Sequence, residues 1–202
     1  MRCRINKGKC GGFTLIELLI VTMLLTVVIS TMAYAFFDIL HTSAVSRVRM
    51  QMQQDLRDTV GYMSRMIRYA GIRPVDTAVE EAEGTAMVFQ GDYNADGVVD
   101  RISFQYDANA ETILLSQWVK NGNNFDIVHD AQVVMANVTE LSFTYYTAQN
   151  VETTDPTQVT AIRLRITLEP PTNVPPKVRN VVGTMQKSSL VYCPNLAWRL
   201  ST

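Results

Sequence analysis

Cysteine is scarce in this chain: Cys3, Cys10 and Cys193 are the three among 202 residues. Two of them fall in the first ten positions. A chain shortened at its amino end would hold a lone thiol and no intrachain disulfide, so the count leaves the redox compartment open. Cys10 is preceded by Lys7-Gly8-Lys9 rather than by the apolar residues of a bacterial lipidation site. Histidine is scarcer still. His41 and His129 are far apart, and neither has a nearby cysteine or a ligand spacing that suits a metal. Cys193-Pro194 has no flanking group that would lower a thiol pKa. A phosphate loop, a dinucleotide fingerprint, a G-x-S-x-G elbow and a zinc pair are all missing. These absences remove the recognisable catalytic classes, and we expect no enzyme and no required cofactor.

An excess of one charge is also lacking. The 18 basic and 19 acidic residues give a net charge of −1, which does not suggest a nucleic-acid partner. The balance is uneven along the chain. Met1 to Gly12 carries Arg2, Arg4, Lys7 and Lys9 and no acid. Without this leader, 14 of the 18 basic residues face all 19 acids, a net of −5. A mildly acidic body argues against binding anionic lipid heads or nucleic acid.

What the chain does have is a long apolar run. Residues 13–37 contain one side chain that is charged at neutral pH, Glu17. That length spans a bilayer with some tilt. The positive-inside rule keeps the basic leader in the cytoplasm and sends the rest across. Three rivals stand beside a processed anchor. A secretory signal peptide would be cut after Ala33-Tyr34-Ala35, but the run exceeds the usual apolar region and contains an acid. A plain unprocessed anchor is the second. A buried core helix, which the length and basic flank disfavour, is the third. Glu17 by itself also fits a capping box, Thr14-Leu15-Ile16-Glu17.

Gly12-Phe13-Thr14-Leu15-Ile16-Glu17-Leu18-Leu19 resembles, almost residue for residue, the class III signal of type IV pilins and pseudopilins. The resemblance is strong over residues 7–40 and weak beyond. It implies cleavage by a prepilin peptidase after Gly12, methylation of the new amino terminus at Phe13, and a need for Glu17 in assembly. The physics agrees with that role. A carboxylate one turn into a helix is favoured by the helix dipole. In lipid, the Glu17 carboxylate of one subunit and the Phe13 amine of a neighbour would neutralise two charges that are costly alone. Implied partners are the prepilin peptidase, other major and minor pilins through the amino-terminal helix, and an inner-membrane assembly platform. The implied location is the inner (cytoplasmic) membrane, single-pass, with the leader in the cytoplasm and the carboxyl-terminal domain in the periplasm. Many major pilins have a proline where Tyr34 stands here, so no proline kink is expected. Thr22, Thr26 and Ser30 recur every four residues, either as a helix-packing stripe or as hydroxyls bonding back to the preceding turn.

From Asp38 the helical pattern continues in more polar company. Val45, Val48, Met52, Leu56, Val60, Met63, Ile67 and Ala70 recur at spacings of three and four. Arg47, Arg49, Gln51, Gln54, Arg57, Asp58 and Arg65 occupy the other face. The apolar stripe is expected to pack on the chain's own globular part, with a coiled-coil partner as the alternative. Gly71 and Pro74 mark the helix end.

Past Gly71 the period becomes two. Strands are predicted around Ala86–Phe89, Ile102–Tyr106, Thr112–Val119, Phe125–Val128, Leu141–Tyr145 and Ile162–Leu168. Asn121-Gly122-Asn123-Asn124 is a hairpin signal. Glu80-Glu81-Ala82-Glu83 reads as a solvated loop. Pro170-Pro171 and Pro175-Pro176 bound an irregular connection, and Val191-Tyr192 could add an edge strand. The fold expected is α+β and pilin-like, with a long amino-terminal helix on an antiparallel β-sheet. The expected divisions are a cleaved leader at 1–12, a transmembrane helix at 13–37, an amphipathic helix at 38–71 and a periplasmic β-rich domain at 72–202.

One loop has its own pattern. Asp92-Tyr93-Asn94-Ala95-Asp96-Gly97-Val98-Val99-Asp100 places oxygen donors at loop positions 1, 3, 5 and 9 and glycine at 6. This looks like the first part of an EF-hand or dockerin Ca²⁺ loop, with Asp92, Asn94, Asp96 and Asp100 as candidate ligands. Position 12 is Ser103 instead of the bidentate acid, and strands flank it. The alternative is a hairpin turn built from Asn, Asp and Gly.

These features look most like PilW-type minor pilins of type IV pili, low-abundance subunits that prime assembly or sit at the tip. A J-type minor pseudopilin of type II secretion is the near alternative. A membrane-anchored periplasmic binding module that never polymerises, with or without dependence on Ca²⁺, is the alternative from another class.

Overall fold

A computed structural model describes residues 14–73 and 77–199. The chain divides into two compact units at Ala44/Val45. In the first unit, the described residues from Leu15 belong to helix α1 (Leu15–Arg68). Their apolar side chains, from Leu15 through Leu40, are exposed. The Thr22 and Thr26 hydroxyls donate to the carbonyls of Leu19 and Met23, and Ser30 donates to Thr26. The hydroxyls thus bond back to the preceding turn, as the second of the two readings holds. The helix is continuous through Tyr34.

The second unit begins with the amphipathic part of α1. Val45, Met52, Leu56, Val60, Met63 and Ile67 are buried there, and the arginines of the opposite face are exposed. This is the face that the three- and four-residue spacing selects. Helical hydrogen bonding stops at Arg68. The Tyr69 and Ala70 N–H groups donate to Met66 and Ile67 in a tighter final turn, and the Gly71 N–H donates to the Gln90 carbonyl at 2.9 Å.

Among the described residues nine strands follow, in two antiparallel sheets rather than the single sheet expected. The first runs β1 (Val79–Ala82), β2 (Ala86–Gly91), β3 (Asp100–Asp107), β4 (Thr112–Asn121) and β5 (Asn124–Ala136), each beside the next. The second has the order β7 (Glu152–Thr153), β6 (Val138–Tyr146), β8 (Ala161–Leu168) and β9 (Met185–Tyr192). One residue separates the sheets in sequence. Asn137, between β5 and β6, has φ of 59° and turns the chain out of the first sheet. Asparagine tolerates that left-handed backbone better than most side chains. Val138 N–H then bonds to Glu111 and Tyr106 Oη to the Val138 carbonyl, fastening the second sheet to the first. Alternation fixes the inward residues. Ile102 and Phe104 of β3, and Ile162, Leu164 and Ile166 of β8, are fully buried.

Two other expectations are corrected and a third is extended. Residues 79–82 form β1, not a solvated loop, because Val79 is buried and Glu80 has partners in neighbouring strands. The Glu80 carboxylate accepts from Gln90 Nε2 of β2 and from Arg101 Nε of β3. The connection after Pro171 contains helix α2 (Pro176–Val182), with proline in its first turn and Val178 and Val182 buried one turn apart. The edge strand expected at Val191-Tyr192 is present as β9, which is eight residues long and starts earlier, at Met185. A short helix, α3 (Pro194–Arg199), follows it.

The end of α1 crosses β2 at close range. A Cβ placed on Gly91 would lie 2.2 Å from the Tyr69 carbonyl oxygen, so only glycine fits this crossing. On the carboxyl-terminal side, buried Cys193 donates through its thiol to the Ile67 carbonyl, and Asn195 Nδ2 donates to the Arg68 carbonyl.

Candidate functional site

Two features of the sequence were candidates for function. The first is the amino-terminal device of Gly12, Phe13 and Glu17. Gly12 and Phe13, with the leader, lie outside the described residues. Glu17 is in the first turn of α1. Its N–H donates to Thr14 Oγ1 at 3.3 Å, and Thr14 N–H reaches back to Glu17 Oε2 at 3.4 Å. This is the reciprocal arrangement of a capping box, with long bonds. Both residues are exposed, so the carboxylate remains open to a cationic partner. The helix behind it is long and apolar enough to cross a membrane.

The second feature is the loop between β2 and β3. Gly91 pairs with Asp100 across the stem, so Asp92 and Asp100 flank the loop base. Both are buried, at 5% and 1% exposure, whereas Asn94 and Asp96 are exposed. Asp92 Oδ2 accepts from Gly97 N–H at 3.0 Å, and Asp96 Oδ1 accepts from Val98 N–H at 2.7 Å. Asn94 bonds to Asp96 twice, through Nδ2 to Oδ2 and through Oδ1 from the backbone N–H. Two buried oxygens have no hydrogen-bond donor: Asp92 Oδ1 and Asp100 Oδ2. The other Asp100 oxygen is 3.5 Å from Gln117 Nε2, which itself donates to Tyr93 Oη at 2.7 Å. Burial raises the Asp100 pKa from its ordinary value. The hydrogen bond from Gln117 and one from the Tyr93 backbone oppose that, and the charges of Asp96 and Asp92 add to it. Among the described residues, no three His, Cys, Asp or Glu side chains converge as a ready-made metal cluster. Any cation here would have to draw on the two stem carboxylates together with Asn94 and Asp96 of the exposed loop tip.

Sequence reasoning found this loop from its spacing but not the burial of its stem. That burial follows from the β2–β3 register and from Gln117 on β4, which a local pattern does not reveal. Elsewhere, burial raises the Cys193 thiol to about 12, with nearby Arg68 opposing the rise. A thiol so protonated is no nucleophile at neutral pH. His129 lies exposed on β5 opposite Gln117.

Comparison with known proteins agrees with the amino end and the fold. Residues 7–33 match the family model of the prokaryotic N-terminal methylation motif. A type IV-like pilin from Thermus thermophilus has a similar structure, with a TM-score of 0.54 and 13% identity over 73% of this chain and 99% of that one. At that identity the likeness is one of fold. No curated protein sequence matches the chain significantly. The architecture is pilin-like, a long amino-terminal helix packed on antiparallel sheets. The chain thus carries a prokaryotic N-terminal methylation motif at the head of a pilin-like fold. A signal of this class implies processing by a prepilin peptidase and pilin assembly, and with the apolar helix it fits a membrane-anchored pilin.

Proposed function

We propose that the chain is a minor pilin, cut by a prepilin peptidase after Gly12, methylated at Phe13 and built into a type IV pilus, where it helps start assembly or cap the tip. Before assembly it sits in the inner membrane, leader in the cytoplasm and β-rich body in the periplasm. The observation that carries the reading is the G-F-T-L-I-E run, matched by the methylation-motif model, whose Leu15, Ile16 and Glu17 open an exposed apolar helix. Cleavage creates an amine at Phe13 four residues ahead of Glu17. In a filament, the Glu17 carboxylate of one subunit meets the Phe13 amine of another, and the pairing sets the axial register. An isolated acid costs about 2.5–3.5 kcal/mol at mid-bilayer and less near the interface, and neutralisation removes that cost in favour of the assembled state.

The test is Glu17→Ala in a host that assembles pili. The leader is removed as in the native chain, and the variant accumulates in the membrane fraction but is missing from sheared filaments. Normal incorporation of the variant would contradict the role given to Glu17.

A further inference from the structure

We propose that the β2–β3 loop, through Asp92, Asn94, Asp96 and Asp100, binds a calcium-sized hard divalent cation. The spacing of donors alone would not carry this, because Asn, Asp and Gly also build plain turns. What carries it is the state of the two stem carboxylates. Asp92 and Asp100 are each more than nine-tenths buried, and each has one oxygen without a donor. A carboxylate oxygen removed from water and left unpaired is costly. Two in one hairpin stem call for a shared positive charge. The Arg73 guanidinium reaches the loop at Gly97 but pairs with neither carboxylate: the ion pairs among the described residues are Arg101–Glu80 and Arg179–Glu169.

The chemistry of the donor set selects the ion. All candidate ligands are oxygens, which suits Ca²⁺ or Mg²⁺ over thiolate- and imidazole-seeking metals. The donors are spread over a loop of irregular backbone, with φ of 59° at Ala95 and 88° at Gly97. Such a set suits the larger ion, which accepts irregular coordination, whereas Mg²⁺ demands a near-ideal octahedron. Asp96 Oδ2 is now held by the Asn94 amide at 2.8 Å. Exchanging that bond for the cation brings a third carboxylate to the stem pair. Ser103 at position 12 cannot supply a bidentate carboxylate, which places the affinity in the weak range of extracellular modules, about 10⁻⁴–10⁻³ M. The site stands apart from the filament reading and can fail without it.

The test uses the full chain in detergent, freed of metal with EDTA and melted across a CaCl₂ series at constant ionic strength. At Ca²⁺ tenfold above the dissociation constant, the melting temperature should rise by about 3–6 °C. Asp92→Asn and Asp100→Asn keep the side-chain shape and should each abolish the rise. If the stem is instead relieved by a bound proton, Ca²⁺ leaves the wild-type melt unmoved, and the site is overturned. A full rise retained by either variant overturns it as well. Should a variant not fold, Tb³⁺ emission excited through tyrosine on the wild-type chain decides, since Tyr93 is in the loop. Emission that Ca²⁺ displaces supports the site, and no such emission overturns it.

Discussion

Replacing Gly91 with alanine places a methyl group against the backbone at the end of α1. The added carbon would lie 2.2 Å from the Tyr69 carbonyl oxygen and 2.9 Å from its carbon, where ordinary contact begins at 3.4 Å. The nearest atoms are backbone, so no side chain can swing aside. Helix end and strand must part by roughly 1 Å, the order of the shortfall from packing distance. Two hydrogen bonds clamp this crossing: Gly71 N–H to Gln90 at 2.9 Å and Asp92 N–H to Ile72 at 3.1 Å. Losing both costs about 1–3 kcal/mol, and overpacking adds about 1–3 kcal/mol. The sum, roughly 2–6 kcal/mol, is a large share of a typical domain stability of about 5–15 kcal/mol. At about 2–4 °C per kcal/mol, the melt of the full chain in detergent should fall by roughly 5–20 °C, read by circular dichroism. Gly61→Ala is the control. It is an exposed position inside α1 with no atom within 4 Å of the added carbon. It should raise stability by about 0.5–1 kcal/mol through helix propensity. If Gly91→Ala melts within 2 °C of the native chain, by roughly the resolution expected for a neutral change, the crossing is not packed as described.

The buried Cys193 thiol should resist iodoacetamide at pH 8–9 in the native chain and react only after denaturation. A background with Cys3 and Cys10 replaced by serine isolates it. Its folded pKa, about 12, is above the ordinary value of 9.0. Its contribution to stability is therefore intact below about pH 9 and is lost between there and about pH 12, a decline that Cys193→Ser should remove. Glu80→Ala deprives buried Gln90 of one acceptor and Arg101 of its ion pair at 2.6 Å. Because Arg101 also stacks on Trp118 at 5.2 Å, it should stay ordered, and we expect a loss of about 1–2 kcal/mol in urea unfolding.

Local chemistry made much of the fold legible. The spacing of Met52, Leu56, Val60, Met63 and Ile67 named the buried face of α1, and the alternation from Ile162 to Leu168 named the centre of the second sheet. The split into two sheets was hidden because it turns on one residue, Asn137, whose left-handed backbone leaves no mark on hydrophobic periodicity. Strand β1 was hidden by its own acids. Glu80 reads as solvent-facing until Gln90 and Arg101 are placed beside it by pairing. The short α2 was masked by the prolines that start it. At the candidate sites the division is similar. Glu17 and the D-x-N-x-D-G loop stand out in sequence, because helix ends and turns are made by neighbouring residues. The burial of Asp92 and Asp100 arises from the β2–β3–β4 register, which no local window contains.

The central claim is that Gly12, Phe13 and Glu17 form one processing and assembly device. Intact-mass and peptide mass spectrometry of the chain, co-expressed with a prepilin peptidase, tests it most directly. Loss of Met1–Gly12 and a methylated amino-terminal Phe13 are the expected result. An intact leader, or an amino terminus created by cleavage after Ala35, would contradict it.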